Sequence, residues 1–190
     1  RIPLNPDQWD GYAGARQRLL DFLQKNAIDN TVILTGDIHS SWFNDIAANP
    51  YDPDACFPVT VLESRAMDLV KSSISAPFFT APSQSTYDPV TGAGSRAVEF
   101  VTPGISSPCF TDPATPPAVV RGLEQQILLS NPHTQYVDFE HRGYMVVDID
   151  AYRVRGEWYH MDSVNVPDSV QHLSATVEVA RGSNHGILTP

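Results

Sequence analysis

The segment that most constrains the fold is the apolar run at residues 31–35, TVILT, together with the turn that follows it. Its apolar, largely β-branched residues show no polar alternation, which predicts a strand buried on both faces of a sheet. An amphipathic helix is predicted just before it, at residues 13–27, because Leu19, Leu20 and Leu23 fall on one stripe. A helix followed by a buried strand indicates an α/β architecture.

The turn after this strand carries two side chains that are able to bind a metal, Asp37 and His39. If the backbone stays extended, both project to the same side while Ile38 packs inward. A carboxylate paired with an imidazole suits zinc, iron or manganese, and ligands of open α/β sheets collect at the carboxyl ends of strands. The alternative interpretation is a loop aspartate that caps backbone amides beside an incidental histidine.

The remaining pattern predicts loops and one helix in the middle of the chain and strands at the end. Residues 1–12 and 43–95 are rich in proline and turn residues, so ordered loops are expected there. The predicted elements after the first strand are a strand or short helix at 58–73, a strand at 97–102, a helix at 115–130, and alternating strands at 144–150, 152–164 and 171–182. The last three should form an antiparallel meander with one wet face.

Length and charge exclude several classes of protein. A chain of 190 residues with 42% apolar composition fits one domain. The 22 acidic and 12 basic residues give a net charge of −10 without a basic cluster, so a nucleic-acid partner is not expected. No apolar run approaches the roughly 20 residues that cross a bilayer. The start at Arg1 suggests a mature, cleaved or excised piece of a longer protein.

Four segments, taken together, resemble the PhoD-like alkaline phosphatases, also called the alkaline phosphatase D family. They occur in the family's order within roughly residues 5–165: NPDQWDGYAGARQRLLDFL, TGDIHSSWFND, AVEFVTPGISS and NPHTQYVDFEHRGYMVVDID. The family is similar in its core to the calcineurin-like metallophosphoesterases. The resemblance therefore implies an α/β (α+β) fold: the C-terminal part of a two-sheet sandwich flanked by helices, ending in an antiparallel β-meander.

The resemblance also implies a function. It points to a secreted or periplasmic alkaline phosphatase or phosphodiesterase that hydrolyses phosphate esters with a metal-activated water, at iron bridged to calcium. Asp37 and His39 match the family's last ligand motif, GDxH, and are carried over as metal ligands. Alternatives are a phospholipase D-type phosphodiesterase of the same family, or a non-catalytic acidic module that binds calcium or a protein partner.

The other metal-binding motifs of the family have no counterpart in this chain. Residues 1–190 are therefore expected to be the C-terminal part of one metallophosphatase domain whose N-terminal part is absent. The implied partners are a phosphate ester substrate and the N-terminal fragment of the same precursor. Without that fragment the chain is expected to be inactive.

Further candidate site residues lie in two other segments. Trp9, Asp10 and Tyr12 are predicted to lie at the mouth of the site and to orient ligands or substrate, the alternative being a turn pinned by a packed tryptophan. His133 and Arg142 are candidate catalytic residues: His133 as a metal ligand or hydrogen-bond donor, Arg142 as a planar clamp for phosphate. The alternative for both is an ordinary surface position.

Several residues were given structural or open interpretations. Ser40 and Ser41 are predicted to face a phosphate, to cap a helix that begins there, or to do both. Trp158 is predicted to lie in the core of the meander. A disulfide and two free thiols are both compatible with Cys56 and Cys109. The histidines predicted to be structural or solvated are His141, His160, His172 and His185.

Overall fold

Two four-stranded sheets pack face to face and carry two helices. The structure is a computed structural model, and it describes residues 9, 11–50, 87–109 and 115–189. The predictions for residues 1–8, for Asp10, for the segment 58–73 and for Cys56 lie outside the described residues. The mixed α+β sandwich that the resemblance implies is confirmed.

The described elements include both helices and strands in the first part of the chain and are all strands in the last part. In chain order they are α1 (Ala13–Lys25), β1 (Val32–Thr35), β2 (Ser41–Ala47), β3 (Ser95–Val101), α2 (Pro117–Ser130), β4 (Thr134–Asp138), β5 (Gly143–Ile149), β6 (Arg153–Met161), β7 (Gln171–Ala180) and β8 (Ile187–Thr189). Both predicted helices and the strand predicted at 97–102 are confirmed.

The first sheet is mixed and has the strand order β1-β3-β2-β4. β1 runs parallel to β3, whereas β2 is antiparallel to both β3 and β4. The carboxyl ends of β1, β3 and β4 therefore lie at the same end of the sheet as Ser41, the first residue of β2. We call this end the loop end, because the segments after β1, β3 and β4 all emerge there.

The second sheet is the predicted antiparallel meander, with strands β5, β6, β7 and β8 in sequence order. β6 is central and pairs with β5 on one side and β7 on the other. The short strand β8, which the sequence did not predict, extends the sheet beyond β7.

The core lies between the two sheets and is built on aromatic side chains. Phe43 and Phe100 from the first sheet meet Trp158 from the second, and all three side chains are completely buried. The rings of Phe100 and Trp158 stack with centroids 5.7 Å apart, and the Trp158 indole donates to the Val101 carbonyl at 2.9 Å. Gly156 permits this packing, because a Cβ there would lie 2.5 Å from the Phe100 ring. The prediction that Trp158 is a core residue is confirmed.

Each helix is attached to the first sheet in a different way. α1 buries Leu20 and Leu23, and the Arg16 guanidinium donates to the Ala47 carbonyl at 2.9 Å. α2 packs Val120 against Val137 of β4 and against Phe139, which follows that strand. Among the described residues, no helix is both long enough and apolar enough to cross a membrane.

Three local expectations were wrong. β1 is not buried on both faces: it is an edge strand among the described strands, and Leu34 is 58% exposed. The segment from Ser41 forms strand β2 rather than a capped helix, so residues 43–47 are a strand and not the expected loop. β4 was not predicted, because its five residues carry three polar side chains.

Candidate functional site

The turn after β1 is bent, so the extended geometry predicted for Asp37 and His39 was wrong. Both residues have left-handed backbone angles, with φ of 74° at Asp37 and 58° at His39. The Ile38 amide donates to the Gly36 carbonyl at 2.9 Å, which closes a three-residue turn centred on Asp37. Such γ-turns with positive φ are rare and strained, and strain of this kind concentrates at functional sites.

The imidazole of His39 is oriented by the loop that follows β3. Its Nδ1 lies 3.0 Å from the Pro108 carbonyl oxygen. Because a carbonyl only accepts hydrogen bonds, Nδ1 carries the proton, and the lone pair of the neutral ring is then on Nε2. A backbone carbonyl that fixes the tautomer in this way is the usual support of a metal-binding histidine.

The two serines after His39 organise the loop end from within. Ser40 is completely buried and accepts a hydrogen bond from the Trp42 indole at 2.8 Å, while the Trp42 ring packs edge-on against Phe139. The Ser41 hydroxyl lies 3.0 Å from Nε2 of His160. Both hydroxyl groups are therefore engaged with protein side chains.

Arg142 is bonded to the same loop that orients His39. Its Nε donates to the Ser107 carbonyl at 2.8 Å, next to the Pro108 carbonyl that orients His39. Within the described part of the chain, its two terminal amino groups have no hydrogen-bond partner. The structure thus brings Arg142 and His39 to one loop. The two terminal amino groups of the Arg142 guanidinium are left to donate hydrogen bonds to a ligand.

A second group of metal-capable side chains lies beside this loop: Asp138, His141 and His160. Their ligand atoms all lie within 4.8 Å of one another, and the described residues contain no other such group of three or more histidine, cysteine, aspartate or glutamate side chains. Nδ1 of His141 lies 2.8 Å from Oδ2 of Asp138, and Nδ1 of His160 lies 3.7 Å from the same oxygen. Asp138 directly opposes Ser41 in the first sheet, so this group also belongs to the loop end.

The electrostatics of the group distinguish its three members. Burial raises the pKa of Asp138. Hydrogen bonds from the side chain and amide of His141, together with the electrostatic effect of His160 and His141, outweigh burial, so the pKa lies below its usual value. The Asp138 hydrogen bond raises the pKa of His141, although burial opposes it. Burial lowers the pKa of His160, so its ring is neutral near pH 7.

His133 is not brought to the loop end. It precedes β4, whereas Asp138 ends that strand, and five strand residues span about 17 Å. The backbone carbonyl of His133 accepts from the Asp45 amide at 2.8 Å, which ties it to the part of β2 far from Ser41. The structure therefore brings His39 and Arg142 to one loop and separates His133 from them.

Trp9 and Tyr12 lie at the start of α1 and are 46% and 57% exposed. Tyr12 is the residue before the helix, and its carbonyl accepts from Ala15 and Arg16. The Arg16 side chain contacts Ala47, at the end of β2 opposite to Ser41. Within the described chain, no hydrogen bond joins Trp9 or Tyr12 to Asp37 or His39.

Sequence reasoning missed Asp138, His141 and His160, the last two of which it treated as structural or solvated. One signal was available in the segment YVDFEH. Its aspartate follows the apolar pair YV and lies three residues before the histidine. The third member was not accessible, because His160 reaches the group only through the pairing of β6 with β5, in which Gly143 opposes His160.

This fold, two sheets flanked by helices with metal-capable side chains at the strand ends, has a counterpart among solved proteins. The chain superposes on a solved protein described as "Structure of PhoD" with a TM-score of 0.63 and 20% identity, over 97% of this chain and 27% of that one. At this identity the similarity shows the fold alone.

Sequence comparison identifies the family. A family model described as PhoD-like phosphatase matches residues 1–158, and the chain belongs to this family. Alkaline phosphatase D of Bacillus subtilis (strain 168) is 42% identical over 40 residues, which are 21% of this chain and 7% of that protein. The chain thus spans about a quarter of the length of the solved structure that it matches. The predicted resemblance is confirmed.

Proposed function

We propose that this chain is the C-terminal part of a metal-dependent phosphoesterase in which Asp37 and His39 are metal ligands. The observation that carries the proposal is the hydrogen bond of His39 Nδ1 to the Pro108 carbonyl, which leaves Nε2 as the ligand atom. Asp37 precedes it in the GDxH motif on a strained turn, with an exposed carboxylate. Membership of the PhoD-like phosphatase family supports the same reaction class.

The donor set fits the ions that the family resemblance implies. An imidazole nitrogen suits iron, and a carboxylate binds iron or bridges to a harder ion such as calcium. When bound, such ions supply positive charge that stabilises the charge developing on a phosphoryl group under attack by water. Two ligands do not hold an ion tightly, so further ligands must come from another part of the protein.

Arg142 is proposed to bind the phosphoryl group of the substrate. Its Nε is fixed by the Ser107 carbonyl, and its terminal amino groups form the planar pair of donors that phosphate oxygens accept. His39 and Arg142 are held by adjacent carbonyls of one loop. That shared support would keep the metal ligand and the phosphate donor in a fixed relation.

The open edge of β1 is proposed to receive the N-terminal part of the same domain. Among the described strands, none pairs with the outer side of β1, and Leu34 within β1 is exposed. An exposed edge with apolar side chains is a template for another strand. Docking there would place additional ligands next to Asp37, because the turn begins where β1 ends.

The finer assignments extend the same proposal. Iron bridged to calcium, export from the cytoplasm and activity on phosphate monoesters or diesters are what the family resemblance supports. A phospholipase D-type diesterase would use the same metal ligands, so the substrate pocket decides between them. Assays with chromogenic monoesters and diesters would rank these substrates directly.

The proposal predicts that His39→Ala abolishes phosphatase activity in the protein that contains both parts of the domain, without unfolding it. Turnover of a chromogenic phosphate ester and bound iron, measured by mass spectrometry, are the readouts. His172→Ala is the matched control, because His172 is an exposed histidine bonded to Asp162 far along the chain. Near-normal turnover by His39→Ala would contradict the proposal.

The proposal also predicts that the 190-residue chain alone is inactive and gains activity when the N-terminal part is added. Size-exclusion chromatography of the mixture should show a complex. Full activity of the chain alone would show that the missing ligands are not needed.

A further inference from the structure

We propose that Asp138, His141 and His160 form a separate binding site for a divalent transition-metal ion, of which zinc fits best. Two imidazole nitrogens and one carboxylate oxygen are a known ligand set for zinc with an open fourth position. The inference does not depend on phosphatase activity, because none of these residues is assigned to that reaction above.

The distances in the group fit a metal ion. Both histidines present Nδ1 to the same carboxylate oxygen, Oδ2 of Asp138, at 2.8 Å and 3.7 Å. In a tetrahedral site with bonds of about 2.0–2.1 Å, neighbouring ligand atoms are about 3.3 Å apart, and the two observed distances bracket that value. The imidazole rings of His141 and His160 lie next to each other, with centroids 5.1 Å apart.

Asp138 and His160 are already oriented by outer partners, as metal ligands usually are. The Ser41 hydroxyl lies 3.0 Å from Nε2 of His160, and this residue is 3% exposed, so the ring is held with Nδ1 towards Asp138. Oδ1 of Asp138 accepts from the amides of Glu140 and His141 at 3.0 Å and 2.8 Å. These bonds leave Oδ2 directed at the two histidines.

The third ligand leaves access from solvent. The side chain of His141 is 47% exposed, so an ion can enter past it and keep one position for water. A cation would occupy the place of the proton now shared between His141 Nδ1 and Asp138 Oδ2. That proton would move to solvent, or to Nε2 of His141, as the metal bonds form.

The site differs from the Asp37 and His39 turn although both lie at the loop end. Asp37 and His39 belong to no group of three mutually close ligands within the described chain, whereas Asp138, His141 and His160 do. Nitrogen-rich coordination also selects against calcium, which takes oxygen ligands. The two sites should therefore be separable by substitution and by the choice of metal.

Cobalt binding to the metal-free 190-residue chain tests the proposal. We expect one Co²⁺ per chain, with the visible absorption of a tetrahedral site, displaced by Zn²⁺ but not by Ca²⁺. His141→Ala should weaken cobalt binding by at least about 100-fold, since removing only an outer partner costs 10–100-fold. Ser41→Ala, which removes an outer partner alone, should weaken it by about 10-fold.

Two control variants make the test decisive. His172→Ala should leave cobalt binding unchanged, because His172, although it opposes His160 in the sheet, bonds to Asp162 at 2.8 Å and belongs to no group of three close ligand atoms among the described residues. Asp37→Ala combined with His39→Ala should also leave it unchanged. Circular dichroism checks that each variant is folded.

Three results would overturn the proposal. These are the absence of a cobalt spectrum in the unsubstituted chain, unchanged affinity in folded His141→Ala, and loss of the spectrum in the Asp37 and His39 double variant alone. The last result would place the ion at the turn after β1 and support the proposed phosphatase site instead.

Discussion

Two carboxylate–histidine groups lie near opposite ends of β2, and they differ in how they are enclosed. Asp45 is completely buried and bonded to Nδ1 of His185 at 2.5 Å and to the Tyr87 hydroxyl at 2.9 Å. Asp138, at the loop end, is bonded to His141, whose side chain is 47% exposed. The same pair of residue types is closed in one place and open to solvent in the other.

The difference in enclosure changes the electrostatics. Burial raises the pKa of Asp45 above its usual value, even though hydrogen bonds from His185 and Tyr87 oppose the shift. At Asp138 the balance is reversed, because the bonds from His141 and nearby histidine charges outweigh burial and lower the pKa. The buried group joins β2, the segment at Tyr87 and the segment at His185, whereas the open group retains a carboxylate that a cation can reach.

The largest effect is expected when the buried carboxylate is removed. Asp45→Ala removes the buried carboxylate that is bonded to the His185 imidazole and the Tyr87 hydroxyl, and should lower the free energy of unfolding by about 3–5 kcal/mol. Urea denaturation measures it. Asp138→Ala is the matched substitution and should cost about 1–2 kcal/mol without metal, because its partners can turn to water. Equal losses at both positions would remove the distinction between the groups.

Metal binding should rank the two groups in the opposite order, because stabilisation by zinc should depend on Asp138 and not on Asp45. Zn²⁺ at 100 times its dissociation constant should stabilise the unsubstituted chain by about 2.7 kcal/mol, since the ion binds the folded state. Asp45→Asn should retain this gain, and Asp138→Asn should lose it. Thermal unfolding with zinc and with a chelator provides the measurement. Stabilisation that survives in Asp138→Asn would contradict the assignment of Asp138 as a ligand.

Removing the hydroxyl of Tyr87 should destabilise the buried group less than removing Asp45. Tyr87→Phe removes one donor to Asp45 and should cost about 1–2 kcal/mol, because a hydrogen bond to a buried charged group is lost. Tyr144→Phe is the control: its hydroxyl donates to Gln171 at 2.6 Å on the surface, and its loss should cost about 0.5 kcal/mol. A larger effect at Tyr144 would show that burial does not determine the ranking.

The smallest effect is a pH dependence at the open group. The pKa of His141 is raised in the folded state from the unfolded pKa of 6.5. The stability that the protonated His141 contributes is therefore complete below pH 6.5 and is lost as the pH rises through the raised folded-state pKa. The stability difference between the unsubstituted chain and His141→Ala, measured in chelator, should be larger at about pH 6 than at about pH 9. It should stay below about 1 kcal/mol, as for exposed ion pairs.

The Asp138→Asn background is the control for this pH dependence. Without the carboxylate, the main cause of the raised pKa of His141 is removed. The difference caused by His141→Ala should then be the same at both pH values. A dependence that persists would assign the shift to Glu140 or Glu124, the other acidic groups that raise the pKa of His141.

The sequence predicts those parts of the fold whose signals are local. The leucine stripe of α1 and the alternation of β5 to β7 need only neighbouring residues, and both were predicted. β2 was missed although it alternates between buried and half-buried positions, because its buried residues include Ser41 and Asp45. Polar residues that are satisfied by distant partners hide a strand from any reading based on hydrophobicity.

The candidate site divides in the same way. Asp37 and His39 were proposed because a short motif contains both, although the bent backbone between them was not foreseen. Arg142 was proposed from its residue type, and its link to the loop of His39 became visible only in the structure. Asp138, His141 and His160 depend on the pairing of strands from two different sheets, which a single sequence does not reveal.

The three tryptophans lie in three different environments, and this makes the chain its own fluorescent reporter. Trp158 is completely buried between the sheets, Trp42 packs beside the metal-capable groups, and Trp9 is 46% exposed. Emission from Trp158 should shift to longer wavelengths only when the sheets separate, whereas quenching of Trp42 by a paramagnetic ion would report occupancy nearby. With Trp9 replaced by Phe, unfolding and metal uptake can be followed in one cuvette without any added dye.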